Sequence, residues 1–338
     1  MRKNSAAYRL GLTCIALCLL LRFHGALRSL LAAPATGEFL LYLETGQRTA
    51  SSEPPQAAVP AYAPESPAAD GAKSPEALPL PDIVTAPTEA PEPAAPVFTA
   101  QDGADIALYN TAGVEVSPET AILVSPEWPE ADGPRVLIYS SHATESYQKN
   151  GENYIETAAY RTLDSGFNML SLGAALEKAL EERGIPVLRD ETLHDYPSYN
   201  NSYISSRKSA QAYLEEYPSL CLVLDLHRDA SSGTQQLRPL AQTEGGSAAK
   251  IMLVVGTDRG NRIHPNWQEN FSLALRLQTL LERTSPGITR PVNLRAQRFN
   301  QDLSPGALLI EIGGAGNTHR EALASMDILA QAIAELLQ

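Results

Sequence analysis

Cysteine is scarce in this chain of 338 residues, which contains three. Cys14 and Cys18 lie in an apolar N-terminal run and Cys221 lies in a predicted buried strand, which argues against a disulfide framework and against a cysteine metal site. Basic residues are also few: 26 Lys and Arg stand against 39 Asp and Glu, and the net charge is −13. We therefore expect no nucleic acid among the partners of this protein.

Two common catalytic signatures are also missing. The chain has no Gly-x-Ser-x-Gly sequence, and Cys221 lies in the middle of a strand, so neither a serine nor a cysteine nucleophile is evident. The glycine-rich stretch at 313–317 follows a strand, but no Lys-Ser/Thr pair completes a P-loop. These absences leave metal-assisted chemistry as the main catalytic option.

Residues 1–35 form a basic and then apolar N-terminal segment. The apolar run at 10–21 suits the core of a signal peptide, with Ala-Pro-Ala at 33–35 as a cleavage site. Reading on through the basic residues gives about 24 residues, enough to span a bilayer. The basic head predicts that the following chain lies outside the cytoplasm in either case. We favour an uncleaved single-pass anchor in the cell membrane.

Residues 36–115 are predicted to be a linker. Twelve of the 25 prolines fall between residues 54 and 96, among Ala, Ser and Glu. Such a sequence cannot bury enough apolar surface to offset the entropy lost on ordering. We therefore expect a disordered, semi-extended tether before a folded domain at 116–338.

The folded part alternates apolar runs with helical patterns, which predicts an α/β fold with a mostly parallel central sheet flanked by helices. The predicted strands are 135–140, 185–190, 220–226, 251–256 and 307–313, and the predicted helices are 168–182, 203–216, 267–281 and 321–337.

Side chains that can bind a metal or transfer a proton occur at the ends of three predicted strands. His142 and Glu145 follow the first strand, His227 ends the strand at 220–226, and Glu311 lies near the end of the last strand. Ligands of such sheets gather at the carboxyl ends of the strands. Two imidazoles and a carboxylate leave a fourth zinc position open, which is typical of catalytic rather than structural zinc.

The segments that carry these residues resemble the stage II sporulation protein P family, which is part of the group of zinc-dependent N-acetylmuramoyl-L-alanine amidases. The resemblance rests on IYSSHATESY, DLHRDA, VVGTDRGNRIHPNWQEN and the long segment from ITRPVNLRAQRF to THREA. It covers about residues 130–338 and implies a zinc-amidase (phosphorylase/hydrolase-like) fold behind an N-terminal apolar helix and a linker.

The resemblance also implies an activity. It indicates a membrane-anchored peptidoglycan hydrolase of sporulation engulfment that cleaves the N-acetylmuramoyl-L-alanine amide bond, and that cuts stem-peptide cross-links in some family members. It implies stage II sporulation proteins D and M as partners. The alternative is a non-catalytic peptidoglycan-binding scaffold of the engulfment machinery.

Family roles can be carried over to some positions of this chain. His142 and His227 match the two zinc-binding histidines, and Glu311 matches the catalytic glutamate. The third ligand is open, because the first helix offers no Glu at its start: Glu145 is preferred and Glu156 is the alternative.

Other positions are secondary candidates. Asp190 and His194 are outer candidates for the metal site, and Ser140 stands where relatives often carry His. Arg228 is expected either to bind a stem-peptide carboxylate or to pair with a neighbouring Asp. Asn300 and Gln301 are candidate substrate contacts. The Tyr- and Asn-rich loop at 196–203 suits either sugar stacking or a helix start.

Overall fold

The computed structural model describes residues 95–158, 160–230, 236–259 and 263–338. The predicted anchor at 1–35 and the predicted linker up to residue 94 lie outside the described residues. None of the helices in the described ranges combines the length and the apolar character needed to cross a membrane.

A seven-stranded sheet forms the centre of the described part of the chain. Its strands, in spatial order, are β1 (Leu108–Asn110), β10 (Val292–Arg295), β9 (Ile251–Gly256), β11 (Ala307–Gly314), β6 (Leu222–Asp229), β2 (Val136–Tyr139) and β5 (Val187–Arg189). Neighbouring strands are parallel except β9 and β11, which are antiparallel. The sheet is thus mostly parallel, as predicted, but its two halves run in opposite directions.

Helices and two hairpins complete the fold. The helices are α1 (Ala100–Ala104), α2 (Pro118–Ala121), α3 (Met169–Glu181), α4 (Ser202–Glu216), α5 (Trp267–Thr284), α6 (His319–Leu323) and α7 (Met326–Leu336). Short 3₁₀ turns cover Tyr199–Asn201 and Gln301–Leu303, and the hairpins pair β3 (Glu156–Ala158) with β4 (Arg161–Thr162) and β7 (Leu240–Thr243) with β8 (Gly246–Ala249).

One face of the sheet carries the main hydrophobic core. Because successive side chains of a strand point to opposite faces, alternate residues such as Ile138, Leu224 and Ile310 share this face. They pack against the buried sides of α3, α5 and α7, which supply most of the Leu, Ile and Ala side chains of the cluster. The burial of these side chains from water is the main source of stability.

The opposite face of the sheet is covered unevenly. Leu137, Tyr139 and Val223 pack against α4. Beyond them, Met252 and Leu309 form a small apolar cluster with Val254, against which Phe299 packs. This second face also carries His227 and Glu311, which line a cavity together with Met252 and Leu309. His227 and Glu311 thus lie on this face beyond the part that α4 covers.

Most predicted elements are observed within a few residues of their predicted bounds, but the last predicted helix is divided. Thr318 and Glu321 form a capping box, so α6 begins earlier than predicted. Ser325 is fully buried and its hydroxyl donates to the carbonyl of Ala249 in β8. This bond fixes the break between α6 and α7.

The predicted domain boundary at residue 116 lies inside the folded unit. β1 pairs with β10 at the edge of the sheet. The ring of Phe98 lies 4.5 Å below the guanidinium of Arg276, and Asp102 forms an ion pair with Arg283 of α5 at 2.9 Å. Composition could not indicate this, because the segment owes its order to contacts with residues some 180 positions away in the chain.

Removal of this segment tests its role. A protein beginning at residue 116 loses α1, β1 and the packing of Phe98, and its β10 edge is uncovered. We expect its thermal midpoint to lie about 5–10 °C below that of a protein beginning at residue 95, the shift that a loss of about 2–3 kcal/mol produces in a domain of this size. Equal midpoints by calorimetry would show that residues 95–115 are not part of the stable unit.

Candidate metal centre

The loop that follows β2 is fixed by two buried aspartates. Asp225 of β6 accepts hydrogen bonds from the backbone N–H and the hydroxyl of Ser141, at 2.8 and 2.7 Å. Asp195 accepts from the backbone N–H and the hydroxyl of Thr144, at 3.1 and 2.6 Å. His142 lies between these two anchors, so its backbone position is set on both sides.

Three side chains from this loop and from β6 converge. Nδ1 of His142 lies 3.4 Å from Oε1 of Glu145, and Nδ1 of His227 lies 3.5 Å from Oε2 of the same carboxylate. One donor atom from each of the three residues lies within 4.8 Å of the other two, and all three side chains are buried. The structure therefore brings together the three residues that the sequence proposed as ligands.

The carboxylate of Glu145 is held in its ionised form. Burial by itself would raise the pKa of Glu145, but the charge of Arg228 and the adjacent imidazole rings of His142 and His227 hold it well below its usual range. Oε2 accepts from the backbone N–H of Arg228 at 3.1 Å, and Oε1 lies 3.4 Å from the guanidinium of Arg161. A carboxylate that stays deprotonated is available to bind a cation.

His142 has the properties of a metal ligand. Both of its ring nitrogens are buried and neither has a hydrogen-bond partner among the described residues. Such unsatisfied polar atoms are rare in folded proteins. Burial lowers the pKa of His142 and outweighs the opposing effect of Glu145, which favours the neutral form of the ring. A neutral imidazole facing a second imidazole and a carboxylate fits a divalent metal.

His227 is oriented by a second carboxylate. Its Nε2 lies 2.9 Å from Oδ1 of Asp225, although the pair is poorly aligned for a hydrogen bond. Burial by itself would lower the pKa of His227, but Asp225 and Glu145 raise it well above its usual value. A carboxylate behind a ligating imidazole is the usual arrangement around protein-bound metals.

Glu311 lies beside this group on the neighbouring strand. It is the cross-strand partner of His227 in the parallel pairing of β11 with β6. Its Oε2 atom is buried and has no hydrogen-bond partner in the described ranges. Burial, together with the nearby carboxylate of Asp229, raises the pKa of Glu311 to about 8. A carboxyl group of this kind can both accept and release a proton near neutral pH.

Two tyrosines enclose the group. The ring of Tyr199 stacks on that of His142 with centroids 4.6 Å apart, and Tyr203 meets the same ring edge-on at 5.4 Å. Both belong to the Tyr- and Asn-rich segment at 196–203, where Tyr199 lies in the 3₁₀ turn and Tyr203 in the first turn of α4. Ser202 does not cap α4, since the N-terminal cap is Asn201 and its side chain makes no capping bond. This part of the loop covers the first histidine.

Arg228 differs from both of the alternatives that the sequence offered. Its Nε donates to the carbonyl of Ser146 at 2.9 Å, and one Nη donates to the carbonyl of Tyr160 at 3.0 Å. The other Nη lies 4.0 Å from Glu145, and 4% of the side chain is exposed. Its guanidinium fixes the loop that carries Glu145, and it has no ion pair with Asp225 or Asp229 among the described contacts.

Asn300 and Gln301 also contact the protein through their amides. Asn300 donates to the carbonyl of Tyr203 and to the hydroxyl of Ser206. Gln301 donates to Val254 and accepts from the backbone of Gly256, both at 2.7 Å. These bonds tie the turn to α4 and β9, and they position the preceding residue, Phe299, in the wall of the cavity.

The remaining candidates lie apart from the three ligands. Glu156, the alternative third ligand, is exposed on the β3–β4 hairpin. Asp190 accepts a hydrogen bond from His194 at 3.0 Å, and the other ring nitrogen of His194 contacts Ser205. Ser140 is buried at the end of β2. The group formed by His142, Glu145 and His227 includes none of these four residues.

Arg161 is a residue of the site that sequence reasoning missed. It contacts Asp195 at 2.6 Å and Glu145 at 3.4 Å, and its guanidinium lies 4.4 Å from the ring centroid of Tyr199. The only signal in the sequence is a short strand-like run that carries an Arg. The hairpin that returns this Arg to the loop is not encoded in any local motif.

Comparison with known proteins identifies the family of this chain. The model of the family described as stage II sporulation protein P (SpoIIP) matches residues 92–334. The chain belongs to this family. The match begins near the start of the described residues and includes all three candidate ligands and Glu311.

Individual relatives are more distant. The stage II sporulation protein P of Bacillus subtilis (strain 168) is 29% identical over 226 residues, which are 62% of this chain and 53% of that protein. The chain thus spans about half the length of this curated relative.

Solved structures are similar in part. The catalytic domain of the CD27L endolysin targeting Clostridia difficile has a TM-score of 0.37 at 14% identity, over 61% of this chain and 97% of that one. An N-acetylmuramoyl-L-alanine amidase from Clostridium difficile 630 has a TM-score of 0.34 at 17% identity, over 61% and 96%. Both TM-scores are below 0.5, a level at which similarity does not establish a shared fold. The zinc-amidase fold therefore remains a prediction.

Metal binding distinguishes Glu145 from Glu156. We expect the purified protein to bind one divalent cation. His142→Ala and Glu145→Gln should each weaken this binding by more than about 10- to 100-fold, which is the loss typical of substituting a residue that only supports a ligand. Glu156→Gln is the matched control and should bind metal normally. The measurement is metal stoichiometry and affinity by elemental analysis and competition with a chelator. Normal binding by folded His142→Ala would contradict the site.

Proposed function

We propose that this protein is a zinc-dependent hydrolase of peptidoglycan that cleaves the amide bond between N-acetylmuramic acid and L-alanine. The observation that carries the proposal is the buried group of His142, Glu145 and His227 with Glu311 on the adjacent strand, at the edge of a cavity. The family to which the chain belongs supplies the sporulation context.

The donor set favours zinc. Two imidazole nitrogens and one carboxylate oxygen are the ligands of many catalytic zinc sites, which keep a further position open. His142 would bind through a neutral ring, Glu145 through a carboxylate that is already ionised, and His227 through a ring oriented by Asp225. A bound zinc ion supplies Lewis acidity that polarises the scissile carbonyl and makes water a better nucleophile.

Glu311 is the proton-transfer group of the proposed reaction. Water adds to the amide carbonyl carbon while the Glu311 carboxylate accepts one of its protons. The same carboxyl group then gives that proton to the alanine nitrogen as the carbon–nitrogen bond breaks, which leaves a carboxylic acid on the sugar and a free amine on the peptide. The unpartnered Oε2 of Glu311 supports this role, because no hydrogen bond within the described chain has to be broken for it to act.

The network around Glu145 maintains this geometry. Arg161 and Arg228 hold its carboxylate from two sides, and Tyr199 stacks on His142. Groups that are fixed before the substrate binds need no reorganisation during the reaction, and preorganised charges are a major source of catalysis. In our proposal these residues position the ligands and do not touch the substrate.

The proposed setting is the outer face of the cell membrane during engulfment. The N-terminal segment at 1–35 would be a single-pass anchor and the Pro- and Ala-rich stretch a tether, with the hydrolase domain outside the cytoplasm. Stage II sporulation proteins D and M are the proposed partners, and cleavage of stem-peptide cross-links is a proposed second activity. These proposals rest on the sequence pattern and on the family.

Substitution of Glu311 separates chemistry from binding. Glu311→Gln keeps nearly the same shape, so we expect it to retain metal and to bind purified sacculi while its turnover falls by roughly 10²- to 10⁴-fold. The measurements are metal content, thermal midpoint and release of stem peptides from peptidoglycan.

Glu321→Gln is the control for this experiment. Glu321 is buried in the capping box of α6, where its carboxylate contacts Arg238 and Asn317. Its substitution should lower the thermal midpoint and leave turnover per molecule nearly unchanged. Near-normal turnover of folded Glu311→Gln would remove Glu311 from the mechanism. Absence of hydrolysis by the metal-loaded natural protein would favour the non-catalytic scaffold.

A further inference from the structure

The cavity extends beyond the candidate metal group along the second face of the sheet. Its wall continues from Glu311 over Leu309 and Val254 to two polar residues of β10, Asn293 and Arg295. The mechanism above uses neither of these two side chains. They alternate with the buried Val292 and Leu294, so both project to the cavity side of the strand.

Asn293 carries an unsatisfied acceptor. The side chain is 6% exposed, and its Oδ1 is buried without a hydrogen-bond partner in the described part of the chain. An acceptor left without a donor in a buried position costs about 1–3 kcal/mol. The side chain lines the cavity, where an N–H group of a bound molecule would satisfy this oxygen.

The positive charge of Arg295 has no ion-pair partner within the described ranges. Among the described residues, no carboxylate lies within ion-pair distance of its guanidinium. Asp229, the other acidic residue of this wall besides Glu311, already forms an ion pair with Arg290 at 2.8 Å. A half-buried guanidinium next to apolar walls favours an anion, and its planar fork matches the two oxygens of a carboxylate.

The rest of the wall is apolar. Met252, Val254 and Leu309 form its floor, and Phe299 packs on them. Phe299 has a φ of 53°, and Asn300 follows it with a φ of 58°. A bulky residue in the left-handed region is strained, and such strain persists where the surrounding contacts impose it. Here the amides of Asn300 and Gln301 impose it, and the ring is directed into the cavity wall.

The strand register gives the spacing of these groups. Met252 is opposite Glu311, Val254 is opposite both Leu309 and Asn293, and Gly256 is opposite Arg295. With strands about 4.8 Å apart and about 3.3 Å per residue, the backbone at Asn293 lies roughly 12 Å from that at Glu311, and the backbone at Arg295 roughly 16 Å. The long Arg side chain shortens the second distance. A fully extended peptide covers at most about 3.3–3.6 Å per residue, so about four residues span the interval to Asn293.

We infer that Asn293 and Arg295 form a subsite for the peptide part of the substrate. Asn293 accepts a hydrogen bond from a peptide N–H, and Arg295 binds a peptide carboxylate within about four residues of the scissile amide. Sugar hydroxyls are neutral and give no reason for an unpaired guanidinium, so the peptide rather than the glycan lies on this side of Glu311. This inference rests on the proposed function, since it assumes that Glu311 marks the scissile bond.

Two matched substrates test the inference. The first is an N-acetylmuramoyl tripeptide with its side-chain and terminal carboxylates free, and the second carries carboxamides in their place. We expect kcat/KM of the natural protein to be about 10- to 100-fold higher for the acid, as is typical of a hydrogen-bonded ion pair. Arg295→Gln should abolish this preference mainly through KM, and Arg295→Lys should retain part of it because it keeps the charge without the fork.

Arg320→Gln is the control, because Arg320 is exposed on α6 and does not line the cavity. It should keep the full preference for the acid, and thermal midpoints confirm that each variant is folded. Equal kcat/KM for acid and amide in the natural protein, or an unchanged preference in folded Arg295→Gln, would overturn the subsite.

Binding is measured separately from hydrolysis. In the Glu311→Gln background, calorimetry should give tighter binding of the acid than of the amide, and the added Arg295→Gln change should equalise them. If the natural protein hydrolyses neither substrate, the proposed function fails while this titration still decides the subsite. Equal binding of acid and amide with Arg295 present would exclude it.

Discussion

The ionised carboxylate of Glu145 is the constraint on which the candidate centre depends. It is fully buried, and a buried charge costs several kcal/mol unless charged partners and hydrogen bonds compensate it. Arg161, Arg228, His142 and His227 provide that compensation from three separate segments of the chain. Each partner is therefore fixed relative to the others, because a shift of any one would leave the charge unpaired.

The same constraint connects the fold to the site. Arg228 and His227 are consecutive residues of β6, so one strand supplies both a ligand and a cation that stabilises another ligand. Arg161 reaches the carboxylate from a hairpin that also pairs with the loop after β2, at Glu145 itself. The ends of the strands thus position the candidate ligands, and the segments between the strands help to balance the charge of Glu145.

The sequence indicated the parts of this arrangement that follow from local pattern. Apolar runs placed β2, β6 and β11, and His142, His227 and Glu311 were recognisable because each ends or follows such a run. Glu145 was preferred to Glu156, and it is Glu145 that joins the described group. The mostly parallel order of the sheet also followed from the alternation of strands and helices.

Other features depend on contacts between distant residues and were not predictable. Arg228 resembled a substrate-binding residue, but its guanidinium is taken up by backbone carbonyls of a loop that lies some 70–80 residues earlier in the chain. Asn300 and Gln301 were candidate substrate contacts, but their amides hold the turn that places Phe299 in the cavity wall. Alternation predicts parallel neighbours in general but does not identify an exception, so the antiparallel pairing of β11 with β9 was not predictable. Because of that reversal, Asn293 of β10 lies level with Leu309, and Arg295 lies further than Asn293 from Glu311.

Both outer strands of the sheet, β1 and β5, are three residues long. β1 ends in exposed Tyr109 and Asn110, and β5 ends at Arg189, which forms ion pairs with Glu177 and Glu191. A long, flat edge presents a row of free N–H and carbonyl groups that can pair with another molecule, whereas a short edge flanked by charges offers little to pair with. The borders of this sheet therefore disfavour self-association through added strands, even where many copies are crowded together.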